Sequence, residues 1–335
     1  MSGPSGEGFE LGKGPDATAG DDRGADDSAG ESLLTVVVAL AANALLAAAK
    51  SAAAAFTGSA AMVAEAAHSW ADTGNEVLLL VAERSGRRPR DAVHPRGYGR
   101  ATYIWSLVVA FGLFSAGAVV SVWHGLTSLD ASGEDGDFLV NYVILGIGFL
   151  LEGTSFLQAS RQVSGEARRW RMRPFQYVAS TSNPTLRAVW FEDFTALLGL
   201  GLAGIGIALH QVTGDAVWDA AGSIAIGLLL GVVAVFLMRQ NMAYLLGVGL
   251  TPTLQKRVLG GILGHPQVER VTSLHVEYVG PRRLFVVAAV DLVGDDQESS
   301  LAVRLRRVEA ELETAPMIED AVLTLSLPDE PCLQP

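Results

Sequence analysis

The sequence predicts an α-helical membrane protein, a six-transmembrane-helix bundle followed by a C-terminal cytoplasmic α+β domain. The 335 residues are 50% hydrophobic and only 18% charged, with a mean hydropathy of +0.32. A soluble domain usually carries about 25% charged residues. The apolar residues gather in blocks of roughly twenty, the length that crosses a bilayer as a helix. After about residue 250 the composition becomes that of a soluble domain, which predicts the second part of the fold.

Six apolar blocks can be drawn as membrane spans, and their boundaries carry an error of about three residues. The third block has no charged residue, and the first carries Lys50 toward its far end. The predicted spans cover residues 33–56, 59–82, 101–124, 138–160, 186–209 and 217–238.

The charges of the connecting loops predict the orientation. Six arginines lie in residues 84–100, after the second span, and six lie in residues 161–187, after the fourth. The loop after the third span carries only acidic charges, and the loop after the fifth carries only Asp215. Short basic loops stay in the cytoplasm. We therefore expect both termini in the cytoplasm, and we expect the lipid bilayer to be that of the cell (plasma) membrane.

The remaining composition narrows the class of protein. Residues 1–31 contain eight acidic and two basic side chains, which predicts a disordered acidic tail and not a signal peptide. The net charge of −12 argues against a nucleic-acid binder. Cys332 is the single cysteine, so an internal disulfide or a cysteine metal cluster is excluded. The predicted domains are the tail, a transmembrane domain over 32–240 and a cytoplasmic domain over 250–330.

The cytoplasmic domain is predicted as helix, strand, strand, helix, strand. A Gly-Pro turn at Gly280–Pro281 separates the first two strands. The predicted elements are residues 251–263, 271–279, 284–292, 299–314 and 321–327. This order is typical of a small open-faced α+β sandwich.

Ionisable residues are concentrated on the predicted second and fifth spans. His68 and Asp72 are four residues apart on the second span and therefore project from one helix face. An imidazole and a carboxylate at this spacing are suitable ligands for a divalent transition metal. The further candidates are Glu65 and Glu76 on the same span, Glu152 on the fourth, and Glu192 and Asp193 on the fifth.

A structural explanation exists for each of these residues alone. A buried histidine is more often a hydrogen-bonding group than a ligand, and a buried carboxylate can pair with Lys50 or cap a helix. Four or five acids beside one lysine nevertheless leave uncompensated negative charge, which needs protons or a cation in hydrocarbon. The sequence therefore favours a cation pathway.

Three motifs resemble the cation diffusion facilitator (CDF) family of metal transporters. They are residues 57–72 with TGSAAMVAEAAHSWAD, residues 94–100 with HPRGYGR, and residues 219–227 with DAAGSIAIG. The resemblance runs from about residue 33 to 327. It implies proton-coupled efflux of divalent transition metals, most often Zn²⁺, from the cytoplasm by alternating access. It also implies a homodimer, a metallochaperone-like (ferredoxin-like) cytoplasmic domain, no enzyme activity and no cofactor apart from the transported ion.

The resemblance also implies ligands, with one departure. Family members take two ligands from the second helix and two from the fifth, which correspond here to His68 and Asp72 and to Asp193. The remaining position holds Val189, which cannot bind metal, and the adjacent Glu192 is the candidate replacement. One imidazole with two or three carboxylates is a harder site than one with two imidazoles, so Mn²⁺, Fe²⁺ and Co²⁺ compete with Zn²⁺.

Several questions stay open at this point. Glu65, Glu76 and Glu152 are ligands, gates or packing groups, and Val189 keeps open a non-transporting membrane scaffold with a degenerate site. An intramembrane metallohydrolase is the least favoured alternative, since no His-Glu-x-x-His motif occurs. We expect His265 and His275 to be structural. Arg187 lies only six residues before Asp193, so either the fifth helix begins near Pro184 or the arginine faces a wet vestibule. We expect the earlier start, because proline suits the first turn of a helix.

Overall fold

The computed structural model describes residues 24–129, 138–294 and 297–334, with side chains described from residue 40 onward. The chain divides into two compact units. Of the described residues, those up to Ser85 and those from Ala101 to Met242 form the helical unit, and the loop Gly86–Arg100 and those from Ala243 onward form the second unit.

The helical unit confirms the predicted fold class. Its long helices are α1 (Gly24–Thr57), α2 (Ala60–Gly86), α3 (Ala101–Ser128), α4 (Phe138–Arg169), α5 (Pro184–Thr213) and α6 (Val217–Leu246), and a short helix, Pro174–Ser180, precedes α5. Among the described residues, five helices are long and apolar enough to cross a membrane. The 27-residue α2 is not among them, because it carries the charged residues of the predicted site. It is nevertheless packed in the core of this unit, through Ala61, Met62 and Ala64.

The structure fixes where two helices begin. One start differs from the prediction, and the other agrees with one of the two alternatives considered. Helix α1 begins at Gly24, so the end of the predicted acidic tail is helical, and residues 1–23 lie outside the described residues. Helix α5 begins at Pro184, where the Asn183 side chain accepts a hydrogen bond from the Leu186 N–H. Arg187 is fully buried and donates to the Thr181 carbonyl and the Asn241 side chain, so it does not face a wet vestibule.

Helices α3 and α6 approach each other at backbone distance. A Cβ atom placed on Gly125 would lie 2.9 Å from the Ala220 carbonyl oxygen, and one on Gly227 would lie 2.9 Å from that of Ala118. Small residues are needed at these two crossings because no side chain fits between the helices. Helix α3 also contains a π-helical stretch, Ala110–Phe114.

The start of α2 is held by a carboxylate from α6. Asp219 accepts hydrogen bonds from the Ser59 hydroxyl at 2.8 Å and from the Ala60 N–H at 2.5 Å. Asp219 lies near the start of α6, where an acid commonly interacts with the dipole of its own helix. Its carboxylate oxygens instead cap the start of α2. The first N–H groups of a helix lack partners within the helix, and a buried acid satisfies them. Asp219 therefore positions the helix that carries His68 and Asp72.

The second unit has the predicted order of elements. It contains α7 (Pro252–Leu263), β1 (Val268–Gly280), β2 (Arg283–Leu292), α8 (Glu298–Leu312) and β3 (Ile318–Leu325). The sheet order is β1-β2-β3, with β1 antiparallel and β3 parallel to β2. Apolar residues of both helices and all three strands form one core, including Ile262, Val271, Val286, Leu312 and Ala321.

The arginine-rich loop Gly86–Arg100 packs on the sheet of the same unit, an association that the sequence analysis did not predict. Arg96 and Arg100 both donate to Glu277 of β1, at 3.0 and 3.1 Å. The Arg96 guanidinium also lies 4.2 Å from the centre of the Phe285 ring. At Gly99 the backbones touch, since a Cβ atom there would lie 2.6 Å from the Val279 carbonyl oxygen.

Hydrogen bonds within the loop fix its fold. The Tyr98 hydroxyl donates to Asp91 at 2.7 Å, and the His94 N–H donates to the other carboxylate oxygen at 2.7 Å. These bonds lower the pKa of Asp91 below its ordinary value, while the same carboxylate raises the pKa of Tyr98. Because the pKa of Asp91 is lowered on folding, its stabilisation of the loop is present above its unfolded pKa and is lost as the pH falls.

We expect Glu277→Gln to loosen the loop Gly86–Arg100, because both arginines lose the charge that holds them to β1. Hydrogen exchange of the loop amides should become faster, while the amides of β2 stay protected. Glu298→Gln, at the exposed start of α8, removes one acid of the same type and is the matched control. Unchanged exchange in the loop of the Glu277 variant would contradict this account.

Candidate cation site

Helix α2 presents His68 and Asp72 toward the interior of the helical unit. The His68 Nδ1 atom lies 3.5 Å from a carboxylate oxygen of Asp72, as expected for residues one turn apart. His68 is 0% exposed, and the described residues offer neither of its ring nitrogens a hydrogen-bond partner. Buried polar atoms are nearly always satisfied, so a buried imidazole with two unpartnered nitrogens indicates a ligand-binding position.

Helix α5 brings Glu192 to the same place. The Glu192 and Asp72 carboxyl groups lie within hydrogen-bonding reach of each other, although they are 120 residues apart in the chain. Asn75, one turn beyond Asp72 on α2, donates its side-chain N–H to Glu192. His68, Asp72 and Glu192 therefore form a chain of neighbours across two helices.

Asp193 points elsewhere. It accepts a hydrogen bond from the Ser155 hydroxyl of α4 at 2.8 Å. Val189, one turn earlier on the same face of α5, packs against the apolar core. Consecutive residues of a helix project about 100° apart, so Glu192 and Asp193 address different neighbours. Glu192 and Asp193 are adjacent in the sequence, but in the structure their carboxyl groups have different partners.

Glu65 forms a buried ion pair. The Lys50 ammonium of α1 lies 2.9 Å from a Glu65 oxygen and 2.7 Å from the Ser69 hydroxyl, and Lys50 and Glu65 are both 0% exposed. The pairing of an intramembrane acid with Lys50, one of the structural explanations, therefore applies to Glu65. Its neighbour on α5 is Gly199, where a Cβ atom would lie 2.5 Å from the other Glu65 oxygen.

The two remaining candidates lie at the margin of the site. Glu76 accepts a hydrogen bond from the Asn43 side chain of α1 at 2.7 Å. Glu152 of α4 is half-buried and lies close enough to Lys50 and Asp193 to interact with them electrostatically.

The site therefore carries excess negative charge. The described residues give no lysine or arginine partner to five acids, namely Asp72, Glu76, Glu152, Glu192 and Asp193. Within the described part of the chain, however, no three histidine, cysteine or acidic groups converge on one point as the ligands of a single ion would.

Two histidines of the second unit lie apart from these acids in the chain. His265 is hydrogen-bonded to Glu311 at 2.8 Å, and His275 is exposed.

Four polar side chains that hold the site were not identified from the sequence. They are Asn43, Ser69, Asn75 and Ser155, each of which is hydrogen-bonded to a charged group. Asn75 lies three residues after Asp72, on the acidic face of α2, and this spacing is the one signal that marks it in advance.

The fold is that of a polytopic membrane protein, and it contains a buried cluster of acidic side chains beside His68. The family described as the cation efflux transmembrane domain matches residues 36–246. The chain therefore belongs to the cation diffusion facilitator family, as the three sequence motifs suggested. The members of this family are cation transporters and not enzymes, which counts against the metallohydrolase alternative.

Two groups of relatives are similar over most of this chain. Metal tolerance protein C4 of Arabidopsis thaliana is 33% identical over 70% of this chain and 51% of its own length. The proton-coupled zinc antiporter SLC30A9, mitochondrial, is 33% identical in Xenopus laevis and 32% in Homo sapiens, over 77% of this chain and 46% of the relative. The chain thus spans about half the length of these curated relatives.

These relatives correct the expected location. The animal relatives are mitochondrial by name, so the prediction of the cell (plasma) membrane is wrong as it stands. A multi-pass membrane location is supported by the family and by the apolar helices. The charges of the loops distinguish the two sides of a bilayer. They carry no information about which membrane of the cell that bilayer belongs to.

We expect Gly199→Ala to lower both thermal stability and metal affinity, because the new methyl group would collide with the Glu65 carboxylate. Gly201→Ala is the matched control on the same helix, where a Cβ atom meets nothing within 4 Å. Alanine favours a helix over glycine by about 1 kcal/mol. The control should therefore be neutral or stabilising, and equal behaviour of both variants would show that Gly199 is not needed for the close approach.

Proposed function

We propose that the protein moves divalent transition-metal cations, Zn²⁺ first among them, across the membrane in exchange for protons by alternating access. Metal efflux is supported by the family and by the relatives' names. The observation that carries the proposal is His68. Both of its ring nitrogens are buried, neither has a hydrogen-bond partner among the described residues, and Nδ1 lies 3.5 Å from the Asp72 carboxylate. A metal ion would satisfy one nitrogen and compensate the acidic charge together.

The proposed ligands are His68, Asp72 and Glu192, with Asp193 as a further candidate. Glu192 lies against Asp72, whereas Asp193 is bonded to Ser155. The geometry therefore favours Glu192 as the α5 ligand that replaces the missing residue at Val189. Asp193 reaches the ion only after its bond to Ser155 is exchanged, which a rocking of the helices would allow.

Proton exchange follows from the ligand chemistry. Imidazole and carboxylates bind metal in their deprotonated forms, so an entering ion displaces protons and protons displace the ion on the other side. We propose that the ion enters from the side of the arginine-rich loops, because efflux starts in the cytoplasm and short basic loops lie on the cytoplasmic side. Five acids to which the described residues give no lysine or arginine partner would hold these protons. The homodimer implied by the resemblance is part of the same proposal.

The mechanism predicts that Asp72→Asn abolishes metal flux, because the amide keeps the shape of the side chain but loses the charge. The measurement is uptake into proteoliposomes with a pH gradient, comparing Zn²⁺, Mn²⁺, Co²⁺ and Fe²⁺. Asp215→Asn makes the same chemical change at an exposed loop position and should leave the flux unchanged. Flux of no ion in the wild type would favour the non-transporting scaffold with a degenerate site.

Glu192→Gln should reduce Zn²⁺ flux more than Asp193→Asn does, by about tenfold or more, since only Glu192 lies beside Asp72. The two variants remove one charge each from adjacent positions, so each serves as the control for the other. A larger loss in the Asp193 variant would reverse the assignment of the α5 ligand while leaving the transport reaction intact.

A further inference from the structure

The buried pair of Lys50 and Glu65 has no role in the mechanism described so far. Lys50 comes from α1 and Glu65 from α2, three residues before His68. The ammonium is bonded to both Glu65 and Ser69, and Ser69 is the residue next to His68. A full positive charge therefore lies one residue from a proposed metal ligand.

This pair is built into the helical unit. A Cβ atom on Gly199 of α5 would lie 2.5 Å from a Glu65 oxygen and would overlap the carboxylate. A glycine on a third helix thus leaves the room that the acid of the pair occupies. Removing two charges from water is costly, and well-packed apolar residues in place of a buried ion pair are often at least as stable. Stability alone does not explain the pair.

The position of Lys50 gives it an electrostatic effect on the metal site. Its charge lies within electrostatic range of His68, Asp72 and Glu152. A lysine freed from Glu65 has Asp72 and Glu152 as alternative acidic partners. It would then compete with the transported cation, because an ammonium and a metal ion neutralise the same carboxylates.

We propose that Glu65 holds the Lys50 ammonium away from the metal ligands, so that the pair sets the affinity of the site for the transported cation. Glu65 is therefore a positioning residue and not a ligand. Lys50 neutralises one acid permanently and leaves Asp72 and Glu192 for the metal ion. This inference rests on the proposed function, since it concerns the affinity of the same site.

Zn²⁺ titration of the purified full-length protein by calorimetry tests the inference with four variants. Glu65→Gln should weaken Zn²⁺ binding by on the order of tenfold, because the freed ammonium turns toward the ligands. The double variant Lys50→Met, Glu65→Gln has no charge at either position, and its affinity should return to within about threefold of the wild type. Lys50→Met alone should bind at least as tightly as the wild type. Lys256→Met, at an exposed position of α7, is the matched control and should bind as the wild type does.

The outcomes separate charge from structure. A merely structural pair would make both single variants weaker, with no recovery in the double variant, and this result would overturn the inference. If Lys50→Met does not fold, the comparison of Glu65→Gln with the double variant decides alone. Absence of Zn²⁺ binding in the wild type and in the Lys256 variant would overturn the proposed function and the inference with it. Wild-type binding with no recovery in the double variant overturns the inference only.

Discussion

The rest of the structure depends on the cost of holding acidic groups away from water inside a helical bundle. Asp72 and Glu192 are both less than a tenth exposed, and they lie beside each other on two different helices. Carboxylates in such surroundings need protons, a cation or hydrogen-bond donors. The described structure supplies donors, through Asn75 and Ser155, and a lysine only to Glu65. A site that is charged but incompletely compensated is suited to binding a cation and releasing it again.

The fold places this site through a few close contacts. Asp219 caps the helix that carries the imidazole, and Gly199 allows a carboxylate to lie against the backbone of α5. Helices α3 and α6 meet at Gly125 and Gly227 without intervening side chains. Close contact of this kind favours movement of a helix pair as one body, because sliding would bring backbone atoms into collision.

The sequence allowed prediction of the helices, of the order of elements in the second unit and of the candidate acids. These features depend on hydrophobic periodicity and composition, which are local properties of the chain. Pro184 could be chosen as the start of α5 because Arg187 otherwise lay too close to Asp193. The partners of the acids could not be predicted. Whether Glu192 or Asp193 approaches α2 depends on the rotation of α5 about its axis, which is set by packing of both helices. The loop Gly86–Arg100 pairs with β1, which lies far away in the chain. Local sequence patterns do not report contacts between such distant segments, so this pairing could not be predicted.

That pairing has a consequence for the order of events during synthesis. Arg96 and Glu277 are 181 residues apart, so helices α3 to α7 have all been synthesised before the acidic partner of the loop exists. At 5–20 residues per second this interval lasts roughly 10–40 s. During that time the loop has no sheet to pack against. Its final packing therefore has to wait for β1, so the loop completes its fold only after the helices that follow it have been synthesised.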